Sequence, residues 1–264
     1  MQEPLVLYLC IGMSTIFGSA AHRRIYGGRD AMPGEFPYVA IYGSFDKSWN
    51  FDLSCSCSVV SPTWSLTAAH CIDITLKSKG YVAFGDFIPG QKFNVSKVLK
   101  MYPHPSYRGD VSECGNYDIG LLRTKTIKIR QYGLLSAVDH TTMIGHEVIV
   151  AGFGSTNASD IYTTIVTANK TLKVFKGMIN SCLKVDYHLC PRICVTPTCD
   201  RVSLICGGDS GGPVIHASGI VGVHACHNIQ CDDVHKHSLA QGSSVHQAVS
   251  PEIDWLSATI NGKS

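Results

Sequence analysis

Three short segments of the chain hold residues that together can activate an oxygen nucleophile: LTAAHC (66–71), YDIGLL (117–122) and CGGDSGGP (206–213). Nucleophilic acyl transfer needs a serine, a histidine to take its proton, and a carboxylate to orient that histidine. It also needs donors waiting where the oxyanion will form. Ser210, His70 and Asp118 are the candidates for the first three. The CGGDSGGP segment is the candidate source of those donors.

These groups must be held by a scaffold, and the sequence predicts strands. PYVAIYGS, CSCSVVS, GYVAFG, HEVIVAGFG and GIVGVHA are β-branched or aromatic runs bounded by turn residues. Helical periodicity is confined to the end, where Ser250, Pro251 and Glu252 read as an N-cap, a first-position proline and a first-turn acid. Ile253, Leu256 and Ile260 then share one helix face. The expected class is all-β with one C-terminal helix, with no repeats, low-complexity tract or separating linker.

The ends and the cysteines point to an oxidising compartment. Leu5 to Phe17 is an apolar run followed by small residues at 18–21, which reads as a signal peptide over 1–20. The run is short for a membrane span. A remnant of four residues at most, 21–24, then ends in Arg23-Arg24. Twelve cysteines are present, and loss of Cys10 with the signal leaves eleven. They lack paired zinc-site spacing, so disulfides are expected, with no metal and no cofactor. The odd count leaves at least one thiol free or joined to another chain. A net charge of +2 over 264 residues excludes nucleic acid or an anionic membrane as the main partner. Sequons at Asn94, Asn157 and Asn169 offer N-glycosylation in a secreted chain.

The three motifs, in the chain order His, Asp, Ser, resemble the chymotrypsin-like (S1) serine peptidases, whose order differs from that of subtilisins and α/β-hydrolases. The match spans residues 24–257 and includes Arg24-Ile25-Tyr26-Gly27-Gly28, His104-Pro105, Gly152-Phe153-Gly154 and Trp255. The resemblance implies two antiparallel β-barrels packed face to face over residues 25–264. The active site would lie between them, and the boundary near 125–140. It implies Ser210 as nucleophile, His70 as general base and Asp118 as its orienting carboxylate, with the backbone N–H groups of Gly208 and Ser210 as the oxyanion hole, where glycine at 208 lets the backbone approach a substrate with no Cβ in the way. It also implies a zymogen with 21–24 as a short activation peptide, in which cleavage after Arg24 frees the Ile25 amine to pair with Asp209. Tyr26 stands where the family usually has valine. The disulfides implied are Cys55–Cys71, Cys182–Cys194 and Cys206–Cys231. Cys190–Cys199 and Cys57–Cys114 are further pairings by position. A further family bridge is missing, since Val148 and His216 occupy its positions.

Substrate preference is where the pattern departs. Leu204 takes the position at the pocket base where trypsins carry aspartate, so a Lys or Arg preference is not expected. Asp200 or Asp232 could still intrude. The family's Ser-Trp-Gly strand is here Ala225-Cys226-His227, preceded by His224, and Ser244 and His246 replace glycine and tyrosine. Two pockets fit these changes. One accepts small apolar side chains and the other an acidic P1 residue met by histidine donors. The partners expected are polypeptide substrates, an arginine-specific activating protease and protein protease inhibitors. A non-catalytic homologue acting as a binding partner is the alternative, favoured only by the rebuilt 225–227 strand.

Overall fold

The computed structural model describes residue 25 and residues 28–72, 80–87, 93–109, 116–154, 170–182, 191–198, 205–227 and 243–262; of 226 and 227 it describes the backbone alone. The first six long strands are β2 (Val39–Phe45), β3 (Phe51–Ser61), β4 (Trp64–Thr67), β5 (Gly80–Phe84), β6 (Asn94–Pro103) and β7 (Gly120–Thr124). They close into an antiparallel barrel in the order β2-β3-β4-β7-β6-β5, with β5 pairing back onto β2. The second barrel comprises β8 (Glu147–Gly152), β9 (Lys173–Asn180), β10 (Arg192–Pro197), β11 (Pro213–His216), β12 (Gly219–His227) and β13 (Ser244–Ala248). Its ring closes because β9 pairs with both β10 and β8, and the short β1 (Arg29–Asp30) adds to the outer side of β9.

Strand periodicity explains the closure. In β9, Phe175, Gly177 and Ile179 point inward and alternate with exposed Lys176, Met178 and Asn180. Ile41, Leu66, Ile119, Leu121 and Leu122 fill the first barrel and are almost fully buried. Each such side chain contributes about 1.5–3 kcal/mol by leaving water. The second barrel gathers Val148, Val150, Ile193, Val195, Ile205, Val214 and Val221 around Ile25.

Two of the expected disulfides are formed, Cys55–Cys71 and Cys182–Cys194. Cys206 is also disulfide-bonded, and its expected partner Cys231 lies outside the described residues. The Cys57–Cys114 pairing is overturned, because Cys57 is a free thiol. Its place in β3 points it into the first-barrel core, fully buried, where burial pushes its pKa far up. Cys114, Cys190 and Cys199 lie outside the described residues.

The C-terminal helix α1 runs Ile253–Ile260, preceded by a 3₁₀ turn at Ser250–Glu252. Ser250 does not cap it. Its Oγ instead accepts from the His140 backbone N–H at 3.1 Å, tying the helix start to the link between the barrels. Leu256 is fully buried, with Ile253, Trp255 and Ile260 packed partly against the same core.

Candidate active site

His70 lies in a single 3₁₀ turn, Ala69–Cys71, directly after β4. The Cys55–Cys71 bridge ties this turn to β3. Asp118 lies just before β7, on a loop whose preceding residue, Tyr117, sits in the left-handed region at φ 58°. The carboxylate of Asp118 is buried and takes two hydrogen bonds from His70. Oδ1 accepts from the backbone N–H at 2.8 Å, and Oδ2 meets Nδ1 at 2.6 Å. The imidazole itself is 22% exposed. This double contact fixes both ring plane and tautomer, and the other ring nitrogen, Nε2, lies 3.7 Å from Cys71 Sγ. Tyr107 also lies near Asp118. Burial, helped by the Asp118 charge, pushes its phenol up to about 12.

Ser210 stands on the turn between residue 205 and β11. That turn is bonded to both barrels. The Ser210 carbonyl accepts from Ser56 N on β3 at 2.9 Å, and Gly211 N donates to the His224 carbonyl on β12 at 2.8 Å. Gly211 has φ +79°, and a Cβ there would fall 2.1 Å from Thr67 Oγ1 and 3.0 Å from Ala68 N. Only glycine lets the serine turn seat against the strand that leads into His70. Gly208, at φ +93°, is likewise in a conformation that favours glycine, with Leu53 of β3 against its open face.

Ser56 is the residue that sequence reasoning missed. It is fully buried, its hydroxyl donates to the Gly208 carbonyl at 2.9 Å, and it accepts from Phe153 N at 2.9 Å. One side chain of the first barrel therefore sets the backbone at residue 208 and at Gly152-Phe153-Gly154. In the strand pattern CSCSVVS nothing distinguishes it from a neighbouring serine.

The Asp209 side chain, next to Ser210 in the chain, turns toward Gly154 and Cys206. Its carboxylate accepts from Gly154 N at 2.7 Å and Cys206 N at 2.9 Å. Burial pushes its pKa up to about 6, tempered by those two donors and by the Lys170 charge. Ile25 is fully buried in the same barrel, in one cluster with Ile205, and sits at φ 40°.

A family model described as Trypsin matches residues 25–250. The chain belongs to the trypsin family of serine-type endopeptidases. It is 25% identical to human granzyme M, covering 98% of this chain and 97% of that protein. It is 28% identical to human transmembrane protease serine 5 over 74% of this chain, and 26% identical to ovochymase of Halocynthia roretzi over 90%. The chain spans only 43% and 15% of the lengths of those two relatives. Among solved structures, mouse neuropsin, a serine protease, superimposes with a TM-score of 0.68 at 21% identity, covering 88% of this chain and 98% of that one.

In this trypsin-family chain the expected substrate-side residues other than Leu204 lie on β12 and β13. His224 and His246 are register partners across these strands, both buried, with ring centroids 5.2 Å apart. Ser244 Oγ meets His246 Nε2 at 2.7 Å and donates to the Val195 carbonyl at 3.3 Å. Burial pushes His246 down to about 3, so it is neutral at physiological pH. Ala225 falls at the bulge between β12 and β13. Arg24 and Leu204 lie outside the described residues, as do the side chains of Cys226 and His227. No helix among the described residues is long and apolar enough to cross a membrane.

Proposed function

We propose that this chain is a secreted serine endopeptidase made as a zymogen, with Ser210 as nucleophile, His70 as general base and Asp118 as the orienting carboxylate. His70 takes the Ser210 proton as Oγ attacks the scissile carbonyl, then gives it to the leaving amine. Water hydrolyses the acyl-enzyme by the same route in reverse roles. The Gly208 and Ser210 N–H groups meet the oxyanion, where each donor is typically worth ~10²–10³ in turnover. The observation that carries this reading is the buried Asp118 carboxylate holding His70 at both its backbone and ring nitrogens.

Activation follows cleavage after Arg24. Two features support it. Asp209 is a buried carboxylate held by two backbone N–H donors and suited to a cation, and Ile25 is a β-branched residue in a left-handed conformation in the intact chain. Secretion follows from the apolar segment at 5–17, and Asn94 is exposed at the start of β6, open to glycosylation. Polypeptide substrates, an arginine-specific activator and protein inhibitors are the corresponding partners.

The substrate preference is not trypsin-like. Between the two remaining pockets, burial of His224 and His246 favours the filled one for small apolar P1 side chains. A neutral His246 already bound to Ser244 brings no charge to a P1 carboxylate.

The test is P1 profiling of protein cut after Arg24, with Ser210→Ala as control. Cleavage at small apolar residues, absent from the control, is the expected result. Glu or Asp at P1 would return the preference to histidine donors, and Arg would defeat both pockets. A second reading, a non-catalytic homologue, is favoured by the rebuilt Ala225-Cys226-His227 strand. Failure of the processed, folded protein to react with a serine-directed phosphonate would establish it.

A further inference from the structure

Tyr117 is not a glycine, yet it holds φ 58° in the residue immediately before Asp118. Such a backbone costs about 1–3 kcal/mol and persists only where its surroundings impose it. A ring lies against this residue. The imidazole of His104 lies flat on the Tyr117 ring, centroids 4.9 Å apart and planes 10° from parallel. The loop is pinned on both sides of the carboxylate, since His104 N donates to the Ile119 carbonyl at 3.0 Å and Ile119 N to that of Tyr117 at 2.8 Å.

His104 is itself locked. Its Nδ1 accepts from Ser106 N at 3.1 Å, which leaves the ring proton on Nε2. That proton faces Glu252 Oε2 at 3.1 Å, and Trp255 closes the ring edge at 4.7 Å. Both partners are buried, His104 at 9% and Glu252 at 5% exposure. Burial pushes His104 down and Glu252 up, so the contact is a hydrogen bond from a neutral imidazole. Glu252 belongs to the turn that opens the C-terminal helix, far along the chain from the catalytic loop.

We propose that Glu252 is a positioning residue for catalysis. By fixing the tautomer and plane of His104 it holds Tyr117 in its left-handed conformation, and so aims the Asp118 carboxylate at His70. This rests on the proposed role of Asp118. Losing the Glu252 oxygen frees the His104 ring to rotate, lets Tyr117 relax toward ordinary φ, and lengthens the 2.6 Å Asp118–His70 contact. Substrate binding is left alone, because neither residue belongs to the substrate strands.

The test compares Glu252→Leu and Glu252→Gln in protein cut after Arg24. Active sites are counted by stoichiometric reaction with a fluorescent phosphonate. Glutamine keeps an oxygen for the His104 N–H and leucine does not. Expected is a roughly tenfold loss of kcat per titrated site in the leucine variant, with KM within about twofold, and near-full rescue in the glutamine variant. A second readout needs no substrate: the downfield proton resonance of the short His70–Asp118 hydrogen bond should move in Glu252→Leu and return in Glu252→Gln. If Glu252→Leu does not fold, the resonance is read in Glu252→Asp, whose shorter side chain draws the carboxylate back from His104. Unchanged kcat per titrated site, with only melting temperature or active fraction lowered, would overturn the proposal and leave Glu252 a structural contact. An unmoved resonance would do the same. Wild-type protein that never labels would refute the catalytic reading itself, which is a separate outcome.

Discussion

Replacing Asp209 by asparagine in the uncleaved chain should stabilise it more at pH 7.5 than at pH 4.5. The carboxyl is 2% exposed and its pKa is raised from 3.8 to about 6, chiefly by burial. A raised folded-state pKa means that the folded chain binds this proton more tightly than the unfolded chain. The group's contribution is therefore most favourable below pH 3.8, falls as pH rises toward 6, and stays unfavourable above. A rise from 3.8 to about 6 amounts to about 3 kcal/mol at pH 7.5, of which about 1 kcal/mol is already present at pH 4.5. The pH-dependent part is thus about 2 kcal/mol, or roughly 4–8 °C in melting temperature for a domain of this size. Asparagine gives up one acceptor for the Gly154 and Cys206 N–H groups, but that cost is the same at both pH values and cancels in the comparison. The assay is thermal unfolding of the uncleaved protein and its variant at the two pH values, repeated after cleavage behind Arg24. Once the Ile25 amine is free, asparagine should destabilise at pH 7.5, because it strands the ammonium. A stabilisation that does not change with pH would refute the burial argument. A variant that behaves alike before and after cleavage would refute the pairing of Asp209 with the new terminus.

Three further outcomes follow from the same geometry. Ser56→Ala removes a buried hydroxyl that serves both the Gly208 carbonyl and Phe153 N, so chemical denaturation should show a loss of about 1–3 kcal/mol for each stranded group, with kcat lowered more than KM is raised. Gly211→Ala drives a Cβ to 2.1 Å from Thr67 Oγ1 at φ +79°, and should yield no phosphonate-reactive protein; Gly109→Ala, at φ +67° with nothing within 4 Å, should cost only about 1 kcal/mol and leave labelling intact. Cys57 should resist thiol reagents in the native state and react at once in denaturant, since its thiol is fully buried and its pKa pushed far up; rapid native labelling, mapped by mass spectrometry, would contradict its place in the core.

The parts of the site legible in the sequence are those whose chemistry is local. His70, Asp118, Gly208 and Ser210 sit in segments where the flanking residues themselves build the turn. The strands announced themselves by side-chain type and bounding turns, as β2, β3, β5, β8 and β12 bear out. What stayed hidden depends on where two barrels meet. Ser56 acts on Gly208 across 152 positions, and no pattern in CSCSVVS marks one serine for that role. Ser250 fits a helix cap by type, but a residue 110 positions away competes for its hydroxyl. Cys57 fits a disulfide by composition, yet its register in β3 turns it inward, next to a Cys55 that faces Cys71.

The left-handed Tyr117 belongs to the same class and explains why the site has this form. No local preference puts a tyrosine there, and the backbone before the Asp118 carboxylate is strained unless an imidazole from β6's end, itself held by a glutamate from the turn before helix α1, lies against it. The aspartate loop is thereby coupled to the turn that opens helix α1. The turn that holds Ser210 is coupled in turn to β3 through Ser56. Each group proposed for catalysis is set by a contact from another part of the fold, so on this reading the site assembles only when both barrels and helix α1 are in place.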